Sequence, residues 1–192
     1  MRREDLFGLP MTPLPDIAAA MRLVDQALAS RSGLIVTFVN PYAWRIGRAR
    51  PDWAQMLGRF DLVLPDGIGV VKALDWARGI RAARLSFDAS SLYLPVFDRL
   101  DRQRRRLFVI GAAPGVAERA LARMRAEFPD IVVAGCLDGF RPPGEAVAAV
   151  LAAAPDLVLC GMGAPHQEGL LLELPAPGFT RIGLPFGGFL DQ

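Results

Sequence analysis

The chain has 192 residues, which is long enough for one sizeable domain and short for two. Hydrophobic residues make up 52% and charged residues 22%, which excludes a disordered chain, and a formal net charge of +2 is too small to indicate nucleic-acid binding. Cys136 and Cys160 are predicted to be free thiols, because no Cys-x-x-Cys pair or histidine cluster accompanies them. The amino-terminal stretch contains acids and has no apolar core of signal-peptide length, so we expect a cytoplasmic protein.

Apolar runs and helical periodicities alternate along the first half of the chain. The pattern predicts, in order, a helix over 17–28, a strand over 34–39, a helical segment over 41–58 with a break near Pro51, a strand over 61–64 and a helix over 67–78.

The second half continues in the same way, and Asp88 is expected to cap its first helix. The predicted elements are a helix from 88 to about 100, a strand over 106–110, a helix over 116–128, a strand over 131–135, a helix over 145–153, a strand over 156–160, a helix over 166–174 and a strand over 180–184. The strands are apolar without alternation, as expected when helices cover both faces of a sheet. The sequence therefore predicts a single α/β domain, a Rossmann-like sandwich with a mostly parallel central sheet.

Polar residues and glycines follow the predicted strands at their carboxyl ends, where such sheets bind ligands. Asn40, Asp66 and the loop 111–115 are examples, and the loops 161–168 and 187–191 follow later strands. Asn40 and Asp66 also fit a simple helix-cap role. Glycine-rich turns that open helices favour an anion, although the 111–115 loop lacks the spacing of a dinucleotide fingerprint. The sequence contains no Walker motif and no Asp-x-Asp pair.

Several segments, in order and at suitable distances, resemble the WecG/TagA/CpsF family of bacterial glycosyltransferases. These segments are NPYAW, DLVLPDGIGVV, RLSFD, LFVIGAAPGVAERA, PDLVLCGMGAPHQE and GLPFGG, and the resemblance extends from about residue 6 to residue 192. Its most specific motifs are the Pro-Asp-Gly turn and the Gly-x-Gly-x-Pro-x-Gln-Glu loop, which lie roughly 100 residues apart.

The resemblance implies an inverting transferase that needs no metal or other cofactor. Such an enzyme moves a hexose or N-acetylhexosamine from a UDP-sugar to a saccharide on a polyprenyl diphosphate, in the synthesis of surface polysaccharide or teichoic-acid linkage units. Asp66 is then the general base that accepts the proton of the attacking hydroxyl. A lipid-linked acceptor makes peripheral attachment at the inner face of the cytoplasmic membrane an alternative to a freely cytoplasmic protein.

The remaining site residues are also predicted through the resemblance. Arg84 would meet the charge of the diphosphate, and Thr37, Asn40 and Gln167 would hydrogen-bond the sugar. Thr37 would replace a threonine that many family members carry near the motif asparagine. The nucleotide is expected to contact Gly111, Phe140, Gly161, Gly163 and Asp191.

Alternative interpretations remain open at this point. The family continues into an arginine-rich carboxyl-terminal segment, so a domain over residues 1–192 is expected to lack that appendage and could bind a UDP-sugar with little or no catalysis. A NAD-dependent oxidoreductase would use the 111–115 loop and needs a ribose-binding acid about 20 residues further on. The chain offers Asp130, but on the lead-in to the next strand and not at its carboxyl end. The sequence leaves open the donor sugar, the acceptor lipid, self-association and the direction of the pKa shift of Asp66.

Overall fold

A small hairpin begins the described part of the chain, which in this computed structural model comprises residues 3–30, 32–175 and 181–186. Strands β1 (Glu4–Leu6) and β2 (Leu9–Met11) pair antiparallel across a two-residue turn. Phe7 and Gly8 in this turn have φ values of +50° and +85°, the positive values that a tight hairpin of the I′ type requires. The sequence pattern did not predict this hairpin, because strands of three residues are too short to show a periodicity.

The centre of the molecule is a sheet of six parallel strands, which confirms the predicted Rossmann-like fold class. The strands are β3 (Leu34–Val39), β4 (Leu62–Pro65), β5 (Arg106–Gly111), β6 (Val132–Leu137), β7 (Leu157–Gly161) and β8 (Ile182–Pro185). Their order across the sheet is β4-β3-β8-β7-β5-β6. The chain therefore runs from β3 out to the β4 edge and then crosses to β5 on the other side, an arrangement that opens a crevice at the strand ends.

The helices match the predicted ones to within two residues at each end, except that α5 begins at Tyr93 instead of residue 88. They are α1 (Ile17–Ser30), α2 (Pro41–Ala49), α3 (Trp53–Gly58), α4 (Ile68–Arg78), α5 (Tyr93–Arg102), α6 (Val116–Glu127), α7 (Pro143–Ala153) and α8 (His166–Glu173). The predicted break near Pro51 is the junction between α2 and α3.

Two hydrophobic cores cover the two faces of the sheet. Helices α1, α5 and α6 pack on one face, against residues such as Val36, Val109 and Leu159. The hairpin, α2, α3, α4, α7 and α8 pack on the other, against Ile35, Phe108 and similar residues. Neighbouring strand residues point to opposite faces, so burial on both sides explains why the strand sequences are continuously apolar.

The prediction that Asp88 caps a helix was wrong. The helix α5 begins at Tyr93, and its N-cap residue Leu92 makes no side-chain capping bond. Asp88 instead binds the backbone N–H of Ser90 at 3.0 Å and takes part in an ion pair with Arg84. Competing partners therefore hold this carboxylate in a turn that precedes the helix.

Cys136 is half-buried and Cys160 is buried, and both are free thiols, as predicted. Burial raises the pKa of Cys136 to about 11, so this thiol stays protonated at neutral pH. Among the described residues, none of the helices combines the length and the apolar character needed to cross a bilayer.

Candidate active site

A cleft of about 460 Å³ lies at the carboxyl ends of the central strands. It is walled by the ends of β3, β4 and β8, by the start of α2, by the turn before α5 and by the loop that leads into α8. The lining residues are Phe38, Asn40, Tyr42, Ala43, Trp53, Asp66, Ser86, Phe87, Asp88, Gly163, Ala164, Gln167, Glu168, Pro185 and Phe186. The cleft thus brings together Asn40, Asp66, Gly163 and Gln167, which the sequence predicted from segments far apart in the chain.

Asp66 points into this cleft and does not cap the following helix. Its backbone N–H binds the carbonyl of Val39 at 2.8 Å, which fixes it beside the end of β3. The N-cap residue of α4 is Gly67, whose φ of +90° suits glycine and turns the chain sharply after the strand. Burial raises the pKa of the Asp66 carboxyl, although Arg84 and hydrogen bonds from Asn40 and Gly67 act to lower it.

Arg84 lies between two carboxylates at the edge of the cleft. Its Nη2 atom is 3.8 Å from Asp66 Oδ1 and also forms an ion pair with Asp88. Ser86 Oγ donates to Asp88 Oδ2 at 2.5 Å and Ser90 Oγ to Oδ1 at 2.7 Å. Although burial acts to raise it, these hydroxyls and Arg84 lower the pKa of Asp88 to about 2. Asp88 is therefore a permanent anion that holds the guanidinium close to Asp66.

Asn40 uses both ends of its side-chain amide inside the protein. Its Oδ1 atom accepts a hydrogen bond from the N–H of Ala43 at 3.0 Å and caps α2, where Pro41 occupies the first turn. The same side chain donates to the Asp66 carboxylate. The helix-cap role that the sequence allowed for Asn40 is therefore real, and it also orients Asp66.

Thr37, Glu168 and Gln167 form a buried polar group below the cleft. Thr37 Oγ1 donates to Glu168 Oε1 at 3.2 Å, and Gln167 Nε2 donates to the same oxygen at 3.1 Å. Thr37 is fully buried and does not line the cleft. Burial raises the pKa of the Glu168 carboxyl. Gln167 Oε1 and Glu168 Oε2 have no hydrogen-bond partner within the described residues, so this wall can still bond a ligand or an ordered water.

The glycines at the ends of β5 and β7 serve close packing of the two strands. Gly111 has a φ of +152°, and a Cβ atom there would lie 2.3 Å from the carbonyl oxygen of Gly161. Gly163 has a φ of +74° and open space around its Cα, and it lines the cleft. Beyond this loop, the helix α8 begins without a side-chain cap. The N–H of Gln167 in its first turn binds the carbonyl of Gly163 at 3.2 Å, so the loop closes onto the start of the helix.

Phe140, another predicted nucleotide contact, does not line the cleft. Phe140 follows the edge strand β6, and 78% of its surface is exposed. Asp191 lies outside the described residues. Asp130, the acid that an oxidoreductase would need, precedes β6 instead of following it, and its N–H binds Asp101. That position is at the opposite end of the strand from the ligand-binding edge.

The sequence did not single out Glu168 or Asp88 as site residues. Glu168 was visible as the last residue of the Gly-x-Gly-x-Pro-x-Gln-Glu motif, next to the apolar run 170–172. A charged residue in the first turn of a helix ordinarily faces solvent, so the sequence pattern did not indicate that Glu168 is buried. For Asp88, the serines at 86, 90 and 91 were a usable signal, since hydroxyls close to a carboxylate stabilise its charge.

Comparison with known proteins gives a match over almost the whole chain. The family model described as "Glycosyl transferase WecG/TagA/CpsF family" matches residues 4–192.

Within the described residues, no group of three or more His, Cys, Asp and Glu side chains has a geometry that could hold a metal ion.

Three curated relatives are similar to the chain. An N-acetylglucosaminyldiphosphoundecaprenol N-acetyl-beta-D-mannosaminyltransferase of Bacillus spizizenii is 31% identical over 85% of the chain and 63% of its own length. A UDP-Gal:alpha-D-GlcNAc-diphosphoundecaprenol beta-1,4-galactosyltransferase of Shigella boydii is 27% identical over 82% of the chain and 66% of its own length. The Bacillus subtilis protein with the same name as the first is 30% identical over 100% of the chain and 74% of its own length. The chain thus spans about two thirds of the length of the first two relatives.

Proposed function

The chain belongs to the WecG/TagA/CpsF family of glycosyl transferases, and we propose that it transfers a hexose or N-acetylhexosamine from a UDP-sugar to a polyprenyl-diphosphate-linked saccharide. The names of the relatives support this class of substrate. All three act on an N-acetylglucosamine carried on diphosphoundecaprenol, and the Shigella boydii protein takes its sugar from UDP-Gal. The single observation that carries the proposal is the position of Asp66, a carboxyl with a raised pKa that faces a cleft at the strand ends.

In the proposed reaction Asp66 is the general base. The acceptor hydroxyl attacks the anomeric carbon, the bond from that carbon to the UDP oxygen breaks, and UDP leaves with the electron pair. Asp66 takes the proton of the hydroxyl, and the configuration at the anomeric carbon inverts. A raised pKa makes the carboxylate a stronger base than an exposed aspartate.

We propose that the developing charge on UDP is met by protein groups and not by a metal ion. Arg84 supplies one cation at the cleft edge, 3.8 Å from Asp66. Helices α6 and α8 start beside the ends of the paired strands β5 and β7, and neither has a side-chain cap. The positive ends of these two helix dipoles suit a diphosphate.

The strand order suggests how the donor would lie. Asp66 follows β4, Asn40 follows β3, Gly163 lies just after β7, and Gly111 ends β5. These strands succeed one another across the sheet, with β8 between β3 and β7. A UDP-sugar would place its sugar over β3 and β4 and extend its nucleotide across β7 and β5 towards Phe140. Gln167 would then bond the sugar from the α8 side of the cleft.

A transfer assay with purified protein tests this function. The assay offers a panel of UDP-sugars and a synthetic prenyl-diphosphate N-acetylglucosamine acceptor, with Mg²⁺ or with EDTA. We expect transfer from at least one UDP-sugar, with inversion, at equal rates in Mg²⁺ and EDTA. Loss of transfer in EDTA would contradict metal independence.

A thermal-shift measurement separates the remaining alternatives. Stabilisation by UDP that survives EDTA, without any transfer, would indicate a UDP-sugar-binding domain. Stabilisation by NAD and not by UDP would overturn the proposed substrate class.

A further inference from the structure

Large exposed hydrophobic side chains concentrate on three neighbouring elements. Phe7 in the hairpin, Tyr42 on α2, and Ile68 and Trp76 on α4 are each more than half exposed, and Trp76 reaches 85%. Most large apolar side chains of a folded domain are buried, so a group of four on adjacent elements calls for an explanation.

These elements lie next to one another. The turn before α4 comes close to the start of α2, since a Cβ atom added at Gly67 would lie 3.8 Å from the Pro41 ring. At the other end of α4, Arg78 Nε donates to the carbonyl of Asp5 in the hairpin at 2.7 Å. The ring of Phe7 at the hairpin tip lies 5.4 Å from the ring of Trp44 on α2. We call the exposed side chains of Phe7, Tyr42, Arg45, Ile68, Lys72 and Trp76 the rim surface.

The rim surface borders the mouth of the candidate active site. Tyr42 is more than half exposed and also lines the cleft. Ile68 begins α4 two residues after Asp66. A molecule lying against the rim surface would therefore have its nearest groups at the entrance to the cleft.

Cationic side chains alternate with the apolar ones on this surface. Ile68, Lys72 and Trp76 are spaced by four residues and form one exposed stripe along α4. Arg45 lies over the ring of Tyr42, with its Cζ atom 5.3 Å from the ring centre. Lys72 forms no ion pair within the described part of the chain. The acids of these elements are Glu4, Asp5, which is paired with Arg78, and the exposed Asp75.

This mixture favours a lipid surface over a protein partner. Lysine is depleted from the centres of protein–protein interfaces, yet Lys72 lies at the middle of the stripe. Tryptophan and tyrosine prefer the boundary between headgroups and acyl chains, and lysine can extend its stem along that boundary while its charge meets anionic headgroups. An α-helix with such a face lies in the plane of the interface.

We propose that the rim surface docks this protein onto an anionic lipid bilayer, with the cleft mouth facing the membrane. This inference rests on the proposed function, since a lipid-linked acceptor must present its saccharide from the bilayer plane. Trp76 and Ile68 would insert into the interface, and Lys72 and Arg45 would bind headgroup phosphates.

Vesicle co-sedimentation without any sugar substrate tests the docking, so its outcome does not depend on transfer activity. We expect the chain to bind vesicles that contain phosphatidylglycerol more tightly than vesicles of phosphatidylcholine alone, with binding weakened by salt. Lys72→Glu should weaken binding at least about fivefold, because each cation near an anionic surface contributes on the order of that factor. Trp76→Ser should weaken it about tenfold.

Matched controls lie on α5, which packs on the opposite face of the sheet. Leu94→Ser removes an exposed apolar side chain and Arg102→Glu reverses an exposed charge, and we expect both to bind vesicles like the unaltered chain. All four positions are exposed, so each variant should keep the unfolding temperature of the unaltered protein.

The proposal is overturned if the chain does not bind anionic vesicles. Losses in the α5 controls that equal those in the rim variants would also overturn it. A third contrary outcome is a dimer in solution that Trp76→Ser dissociates, without any vesicle binding, since the surface would then serve a second copy of the chain.

Discussion

The Nη2 atom of Arg84 lies 3.8 Å from Oδ1 of Asp66, and Asp88 holds the same guanidinium in place. The arginine therefore lies closer to Asp88 than to Asp66 and acts on the Asp66 carboxyl from 3.8 Å. Burial raises the pKa of Asp66 and the arginine acts against that rise. The net effect is a raised pKa, which makes Asp66 a stronger base than an exposed aspartate.

Removing the arginine should move the pH dependence of the reaction. Transfer needs ionised Asp66, so kcat/KM should rise with pH through the pKa of this carboxyl, which burial places above the ordinary aspartate value. Arg84→Gln removes a charge that lowers this pKa, so the rising limb should shift to higher pH. The measurement is a pH–rate profile, and the control is Arg102→Gln, an exposed arginine of α5. An unshifted limb in Arg84→Gln would show that another group titrates.

Burial of the ionised Asp66 carboxylate should lower the free energy of unfolding. A carboxyl whose folded-state pKa is raised above its unfolded value destabilises the fold above that folded pKa, and the penalty disappears as pH falls below the unfolded value. Asp66→Asn should therefore raise the unfolding temperature at pH 7 and lose that gain near pH 3. Calorimetry at the two pH values measures the difference. Asp75→Asn, at an exposed position of α4, should change the unfolding temperature little at either pH.

Glu168 should tolerate an amide and not an apolar side chain. The raised pKa indicates that burial favours the neutral acid, and glutamine keeps an oxygen that can accept from Thr37 and Gln167. Glu168→Gln should fold with nearly unchanged stability. Glu168→Leu leaves two buried donors without an acceptor, which should cost about 1–3 kcal/mol for each.

Denaturant unfolding distinguishes the two variants, with Glu173→Gln as a control on the exposed side of α8. Equal stability of Glu168→Leu and Glu168→Gln would mean that the buried hydrogen bonds contribute little.

Gly111 should be required for the sheet. A Cβ atom at this position meets the Gly161 carbonyl oxygen at 2.3 Å, and the φ of +152° is unfavourable for alanine. We expect Gly111→Ala to lower the free energy of unfolding by more than about 2 kcal/mol. Gly169→Ala, in α8 with nothing within 4 Å of the added atom, should instead stabilise by about 0.5–1 kcal/mol. A stable Gly111→Ala would show that the two strands can separate without cost.

The fold was predictable because its strongest signals are local. Continuous apolar strands alternate with amphipathic helices, and burial of both sheet faces requires that pattern. The hairpin was not predicted, because strands of three residues are too short to show a periodicity. Its turn also has Phe7 at a position where Asn or Asp would indicate a turn of this type.

Of the residues that line the cleft, the sequence predicted Asn40, Asp66, Gly163 and Gln167. Parallel strand ends meet at one edge, so Asn40 and Asp66 had to lie close together. The sequence could not show that the side-chain amide of Asn40 is hydrogen-bonded to Ala43 and Asp66. It also could not show that Thr37 lies under the cleft with its hydroxyl bonded to Glu168. Those relationships depend on contacts between residues up to 131 positions apart, which no local pattern encodes.

Turnover of Asp66→Asn is the most direct test of the proposed general base. The assay compares the unaltered protein, Asp66→Asn and Asp75→Asn with the same UDP-sugar and prenyl-linked acceptor, together with the UDP affinity of each. We expect Asp66→Asn to lose about 10²- to 10⁴-fold in kcat, to keep its UDP affinity within a few fold, and to fold normally, while Asp75→Asn keeps full activity. Normal turnover in Asp66→Asn would contradict the role of this carboxylate as the base.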